Sequence, residues 1–107
     1  MFDKSQLLRG TLEGCILKIL SDHTTYGYEI VTKLQEYGFE EVREGTIYPL
    51  LLRLENKGII PLSSPFAAGS TQKILFITPD GLLYLEEFKR SWKQISKSIN
   101  HIFEMEE

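Results

Sequence analysis

"EGTIYPLLLRLENKG", residues 44–58, decides how the rest of the chain is read. Turning each residue by about 100° around a helix axis separates two faces. Ile47, Leu50, Leu51 and Leu54 fall on one side, the spacing a helix uses to bury a stripe against a core. Pro49, Leu52, Arg53 and Asn56 fall on the other, with Tyr48 at the border. Proline has no backbone N–H and belongs in a helix's first turn, which predicts Thr46 as the N-cap; Gly58 is the natural stop. The second face is either solvated surface or a surface that reads something.

Upstream, "LLRGTLEGCILKIL" predicts a first helix with Leu8, Leu12, Cys15, Ile16 and Ile19 on one buried stripe. Its start is open, because Gly10 and Thr11 either interrupt an earlier helix or begin a new one. "TYGYEIVTKLQEYG" predicts a second helix that buries Gly27, Ile30, Val31, Leu34 and Tyr37. Thr24 or Thr25 would cap it and Gly38 would end it. Downstream, "IIPLSS" and "QKILFIT" read as two strands joined by "PFAAGST". A two-stranded hairpin buries too little surface to stand alone and must lean on the helices.

"TPDG" then places Thr78 as a cap, Pro79 in the first helical position and Asp80 near the positive helix end. In the fourth helix, Leu85, Phe88, Trp92, Ile95, Ile99 and Ile102 follow a 3-4-3-4-3 spacing. That is the a/d seam along which helices pack lengthwise. A helix over 79–103 would run roughly 35–40 Å. Such length favours a seam completed by a second copy of the chain over packing wholly within one domain.

Composition narrows the function. The chain has 107 residues, 42% apolar and 25% charged, which is one globular domain's worth. No apolar run of membrane-spanning length occurs, the start "MFDKSQLLRG" lacks a secretory pattern, and Cys15 is the single cysteine; a cytoplasmic protein is expected. Net charge is −3, so any nucleic-acid binding must rest on local placement of charge. Residues 1–78 are near neutral, with eight Lys/Arg against nine Asp/Glu.

Catalysis has little support. His23, His101 and Cys15 lack metal-like spacing, Cys15 sits on an apolar stripe, and no phosphate-binding glycine loop is present. No cofactor or metal site is expected.

Three helices, a hairpin and a long last helix spell a mainly α winged helix-turn-helix, in which the third helix lies in the DNA major groove. On that reading Arg53 faces guanine or phosphate, Asn56 faces adenine, and Leu52 faces a thymine methyl. Tyr48 and Tyr26 are placed for phosphate. Tyr28 serves either phosphate or core. Thr46 and Pro49 complete the reading face, and Lys73 is the contact from the wing.

These residues resemble the PadR-like transcriptional regulators. "GTIYPLLLRLENKGII" resembles the family's third helix and following strand, "YGYEI" the start of its second helix, "LLRGTLEGCILKIL" its first, and "ITPDG" the start of its last. The resemblance implies a homodimeric repressor with a DNA-binding unit over 1–78 and a dimerisation helix over 79–107. It also implies inverted-repeat double-stranded operators and release by a small aromatic or xenobiotic effector. Phe88 and Trp92 are where such a molecule would stack, although aromatics at a/d positions equally serve as interface core.

Against the family's basic, aromatic wing, this chain has Ser70, Gln72, Ile74 and Leu75, leaving Lys73. Such a wing should grip phosphate weakly and show a shallow salt slope. The alternative reading is a dimeric winged-helix interaction module with weak or no DNA binding.

Overall fold

Helix α1 (Ser5–Asp22) is buried around most of its middle turns, because α2 (Gly27–Glu36), α3 (Glu44–Asn56) and α4 (Pro79–Glu104) all pack on it. The predicted stripe is there, and Glu13, Gly14, Leu17 and Leu20 are buried beside it. Gly10 and Thr11 do not interrupt the helix; the Thr11 hydroxyl donates to the Leu7 carbonyl at 2.9 Å. The computed structural model describes residues 2–61 and 74–105, with elements in the order α1, β1 (Thr25–Tyr26), α2 (Gly27–Glu36), α3 (Glu44–Asn56), β2 (Ile74–Leu75) and α4 (Pro79–Glu104). The class is mainly α with a small antiparallel sheet, as expected of a winged helix-turn-helix.

The sheet differs in detail from the expected hairpin. Among the described residues, β2 pairs antiparallel with β1, Thr25 opposite Leu75 and Tyr26 opposite Ile74. Ile59 and Ile60 form a bend and bury both side chains in the core. Residues 62–73, which include the expected wing tip and Lys73, lie outside the described residues. The pairing joins the root of the wing to the start of α2.

Helix α2 buries Gly27, Ile30, Val31 and Leu34 as predicted, but Tyr37 is its C-cap and 76% exposed. The expected threonine cap is also replaced. Thr25 belongs to β1, and the first orphan N–H, that of Tyr26, donates to Glu29 Oε1 at 3.1 Å. That hydrogen bond, followed by one from the Thr25 hydroxyl, holds the Glu29 carboxyl below its ordinary value. After Tyr37 the chain turns through Gly38, at φ 116°. The N–H groups of Gly38 and Phe39 return to Gln35 and Leu34 in a Schellman motif.

Helix α3 ends the same way. Gly58 adopts φ 75°, its N–H reaching the Glu55 carbonyl and that of Ile59 reaching Leu54, both at 3.0 Å. A side chain at this angle would be strained, which is why glycine closes the helix. The start of α3 corrects the expectation. Arg43 is the N-cap, so Thr46 is the third helical residue and Pro49 the sixth. Pro49 leaves the Gly45 carbonyl without its helical donor, but Gly45 is exposed and water can satisfy that oxygen.

The end of α3 and the start of α4 are fastened at one residue. Thr78 caps α4 as predicted, its hydroxyl oxygen accepting from the Gly81 N–H at 3.0 Å. The same hydroxyl lies 2.9 Å from the carbonyls of both Gly58 and Ile59, to which its single proton is donated. The Thr78 N–H donates to Ile59 at 3.1 Å. These bonds fix the two ends of the 59–78 segment against each other. At Gly81 a Cβ would run into the Ile59 carbonyl, so glycine permits the close approach.

Two stability predictions follow from these caps. Thr78→Ala should lose about 1–2 kcal/mol by thermal or urea unfolding, with Thr78→Ser retaining most of it. For Glu29 the folded-state pKa is lowered, so its contribution is present above the usual glutamate value of 4.5 and is lost as pH falls through the folded value. The Tm gap between wild type and Glu29→Gln should therefore be full at neutral pH and close in acid.

Candidate nucleic-acid interface

The anchored side of α3 consists of Ile47, Leu50, Leu51 and Leu54, all buried as their spacing predicts. Burying each such side chain contributes about 1.5–3 kcal/mol, enough to hold the helix at one rotation about its axis. The opposite side is centred on Gly45, Pro49, Leu52 and Asn56, all exposed. Tyr48 lies on one flank, 37% exposed. Thr46 and Arg53 lie on the other flank, toward α1. With Ser5, Leu8, Arg9, Leu12, Gly45, Pro49 and Leu50 they line a groove of about 340 Å³. The residues singled out on α3 thus share one solvent-facing arc.

Arg53 is the member whose surroundings were not legible from its own helix. Its Nε lies 3.5 Å from Oε2 of Glu13, a carboxylate on α1 that is only 7% exposed. Lys57 Nζ approaches the other oxygen at 4.0 Å. Lys57 also points at Tyr84 of α4, 3.5 Å from its hydroxyl and 5.5 Å from its ring centroid. The last turn of α3 and its C-cap therefore bring two cations to one buried carboxylate of α1. A signal for Glu13 existed: at 100° per residue it falls between Leu17 and Leu20, inside the apolar arc of α1.

Tyr26 is half-buried and stacks on Tyr28, with centroids 5.4 Å apart and planes 14° from parallel. Tyr28 is exposed, which removes the core alternative for it. The pair stands at the N-terminal end of α2, beside the root of the wing.

The seam of α4 divides in two. Leu85 is 2% exposed within the protomer's own core, and Phe88 is half-buried with its ring against Gly14 of α1. Any side chain at position 14 would meet that ring. Trp92, Ile95, Ile99 and Ile102 carry the stripe onward and are exposed, Ile102 to 61%. The structure thus separates Phe88, held by α1, from Trp92, one turn beyond it in solvent.

Burial pushes the Cys15 thiol above its ordinary pKa, keeping it protonated and unreactive at neutral pH. Among the described residues, no group of three or more His, Cys, Asp or Glu side chains could hold a metal, and no helix is long and apolar enough to cross a membrane.

Known proteins carry the same arrangement. A PadR-like transcriptional regulator from Bacillus cereus is 46% identical, with TM-score 0.77 over 92% of this chain and 96% of that one. A transcriptional regulator from Streptococcus is 37% identical, with TM-score 0.75 over 91% and 96%. Among curated proteins, the transcriptional regulator Rv3488 of Mycobacterium tuberculosis is 27% identical over 84 residues, 78% of each chain. Residues 16–87 match the family described as "Transcriptional regulator PadR-like family". An α3 anchored on one face and open on the other is what a family of DNA-binding regulators, not enzymes, requires, and this chain belongs to the PadR-like family of transcriptional regulators.

Proposed function

We propose that the chain acts in the cytoplasm as a homodimeric, sequence-specific repressor, with α3 in the major groove of each half of an inverted-repeat operator. The observation that carries this reading is the exposed arc of α3, held at a fixed rotation by the buried Ile47, Leu50, Leu51 and Leu54 on its reverse side. A helix presented this way fits the major groove and can reach base edges. Asn56 is the residue for adenine and Leu52 for a thymine methyl, while Pro49 and Thr46 shape the approach. Tyr48, Tyr26 and Tyr28 meet phosphate, with Lys73 of the wing.

Dimerisation is assigned to residues 79–107, specifically to the exposed stripe Trp92, Ile95, Ile99 and Ile102. The support is chemical: four large apolar side chains at seam spacing in one exposed row are the surface a second helix covers. Residues 1–78 form the DNA-binding unit, to which the first turns of α4 add Leu85 and Phe88. A flat aromatic effector would stack on Trp92, next to Phe88, and change the spacing of the two α3 helices away from one turn of DNA, about 34 Å.

Fluorescence anisotropy with DNA from upstream of the chain's own gene, beside a scrambled duplex, tests DNA reading. Preferential binding at physiological salt should weaken in Asn56→Ala by about 1–3 kcal/mol. A stable dimer that prefers no DNA fragment would favour the protein-interaction alternative. Ile99→Glu should shift sedimentation toward monomer at micromolar concentration. Because Trp92 is the single tryptophan, its emission should change on dilution through the dimer dissociation range and on addition of a planar aromatic dye.

A further inference from the structure

We propose that Glu13, on α1 and away from the exposed arc, is a positioning residue for DNA discrimination and acts through Arg53. This inference rests on α3 reading DNA, and it deepens that reading. Glu13 Oε2 is buried and has no hydrogen-bond partner among the described residues; its nearest cation is Arg53 Nε at 3.5 Å. Lys57 stands 4.0 Å from the other oxygen. A pair whose carboxylate is buried while its cations stay in solvent is a poor way to gain stability, since desolvation of the anion offsets much of the attraction. An apolar side chain between Leu17 and Leu20 would serve packing better.

The geometry offers another use. Arginine reads a guanine edge or a phosphate through its two terminal nitrogens, which must be presented in one plane. The carboxylate engages the guanidinium at Nε, while the Arg53 side chain remains 55% exposed. The anchor restricts the side chain's rotation without taking the outer donors. Glu13 also offsets the field of two cations that would otherwise attract phosphate at any sequence. It therefore raises specific binding by orientation and lowers non-specific binding by charge. A net charge of −3 in a DNA-reading chain accords with that division.

The test uses the full chain and a duplex that the wild type itself selects from a random-sequence pool, beside a scrambled duplex, at near-physiological salt. Glu13→Gln keeps the shape and removes the charge. The ratio of selected to scrambled affinity should fall roughly tenfold, with scrambled binding unchanged or tighter. In an Arg53→Ala background the same substitution should alter the ratio by less than about twofold, because the effect runs through Arg53.

An unchanged ratio in Glu13→Gln, an equal loss on both duplexes, or a full effect without Arg53 would each overturn the proposal. Should Glu13→Gln fail to fold by circular dichroism, Arg53→Lys takes its place, keeping the cation and losing the Nε anchor. The same fall in ratio is expected, and its absence overturns the proposal. A wild type that selects no sequence would remove the DNA-reading function and this inference together; one that selects well while Glu13→Gln matches it removes this inference alone.

Discussion

A helix can read DNA only if its rotation about its own axis is settled before the DNA arrives. In this chain that is the task of Ile47, Leu50, Leu51 and Leu54, all buried against the core built around α1. Truncating any of the fully buried ones would cost about 2–5 kcal/mol, a large part of a small domain's stability. The same constraint accounts for the caps. Gly58 stops α3 with a Schellman turn, and Thr78 ties the carbonyls that follow to the start of α4. Helix α3 is thereby fixed along its length and at its C-terminal end.

Helix α1 is the common wall. It buries its middle turns under three other helices and supplies Gly14, which admits the Phe88 ring of α4. It also supplies Glu13, a buried anion that approaches Arg53 and Lys57 at the C-terminal end of α3. Lys57 touches both Glu13 and Tyr84, so α1, α3 and α4 meet at one polar cluster below the exposed arc. The proposed dimer stripe begins where this packing ends, at Trp92.

Much of this was legible from residue spacing. The apolar side of α3, the Gly38 and Gly58 stops and the Thr78 cap all followed from periodicity and local hydrogen-bonding chemistry. Local rules misplaced what depends on distant partners. Pro49 sits in the second turn of α3 because the preceding turn, from Glu44, forms despite it, with an exposed glycine at the position the ring crowds. The start of α2 is capped by Glu29 because β1 recruits Thr25 to pair with Leu75, 50 residues away in the chain. Arg53 looked like a free reading residue because the carboxylate that engages it lies on another helix. The long seam of α4 looked uniform because sequence spacing does not reveal that its first turns are taken by α1.

The most direct measurement of the central claim is a ¹⁵N–¹H titration of the full chain with a duplex that it selects. The account predicts perturbed amides concentrated at 45–56 on α3 and at 26–28 at the start of α2, with those at 92–102 little changed. Perturbations centred on 92–102, or spread evenly with α3 untouched, would contradict it.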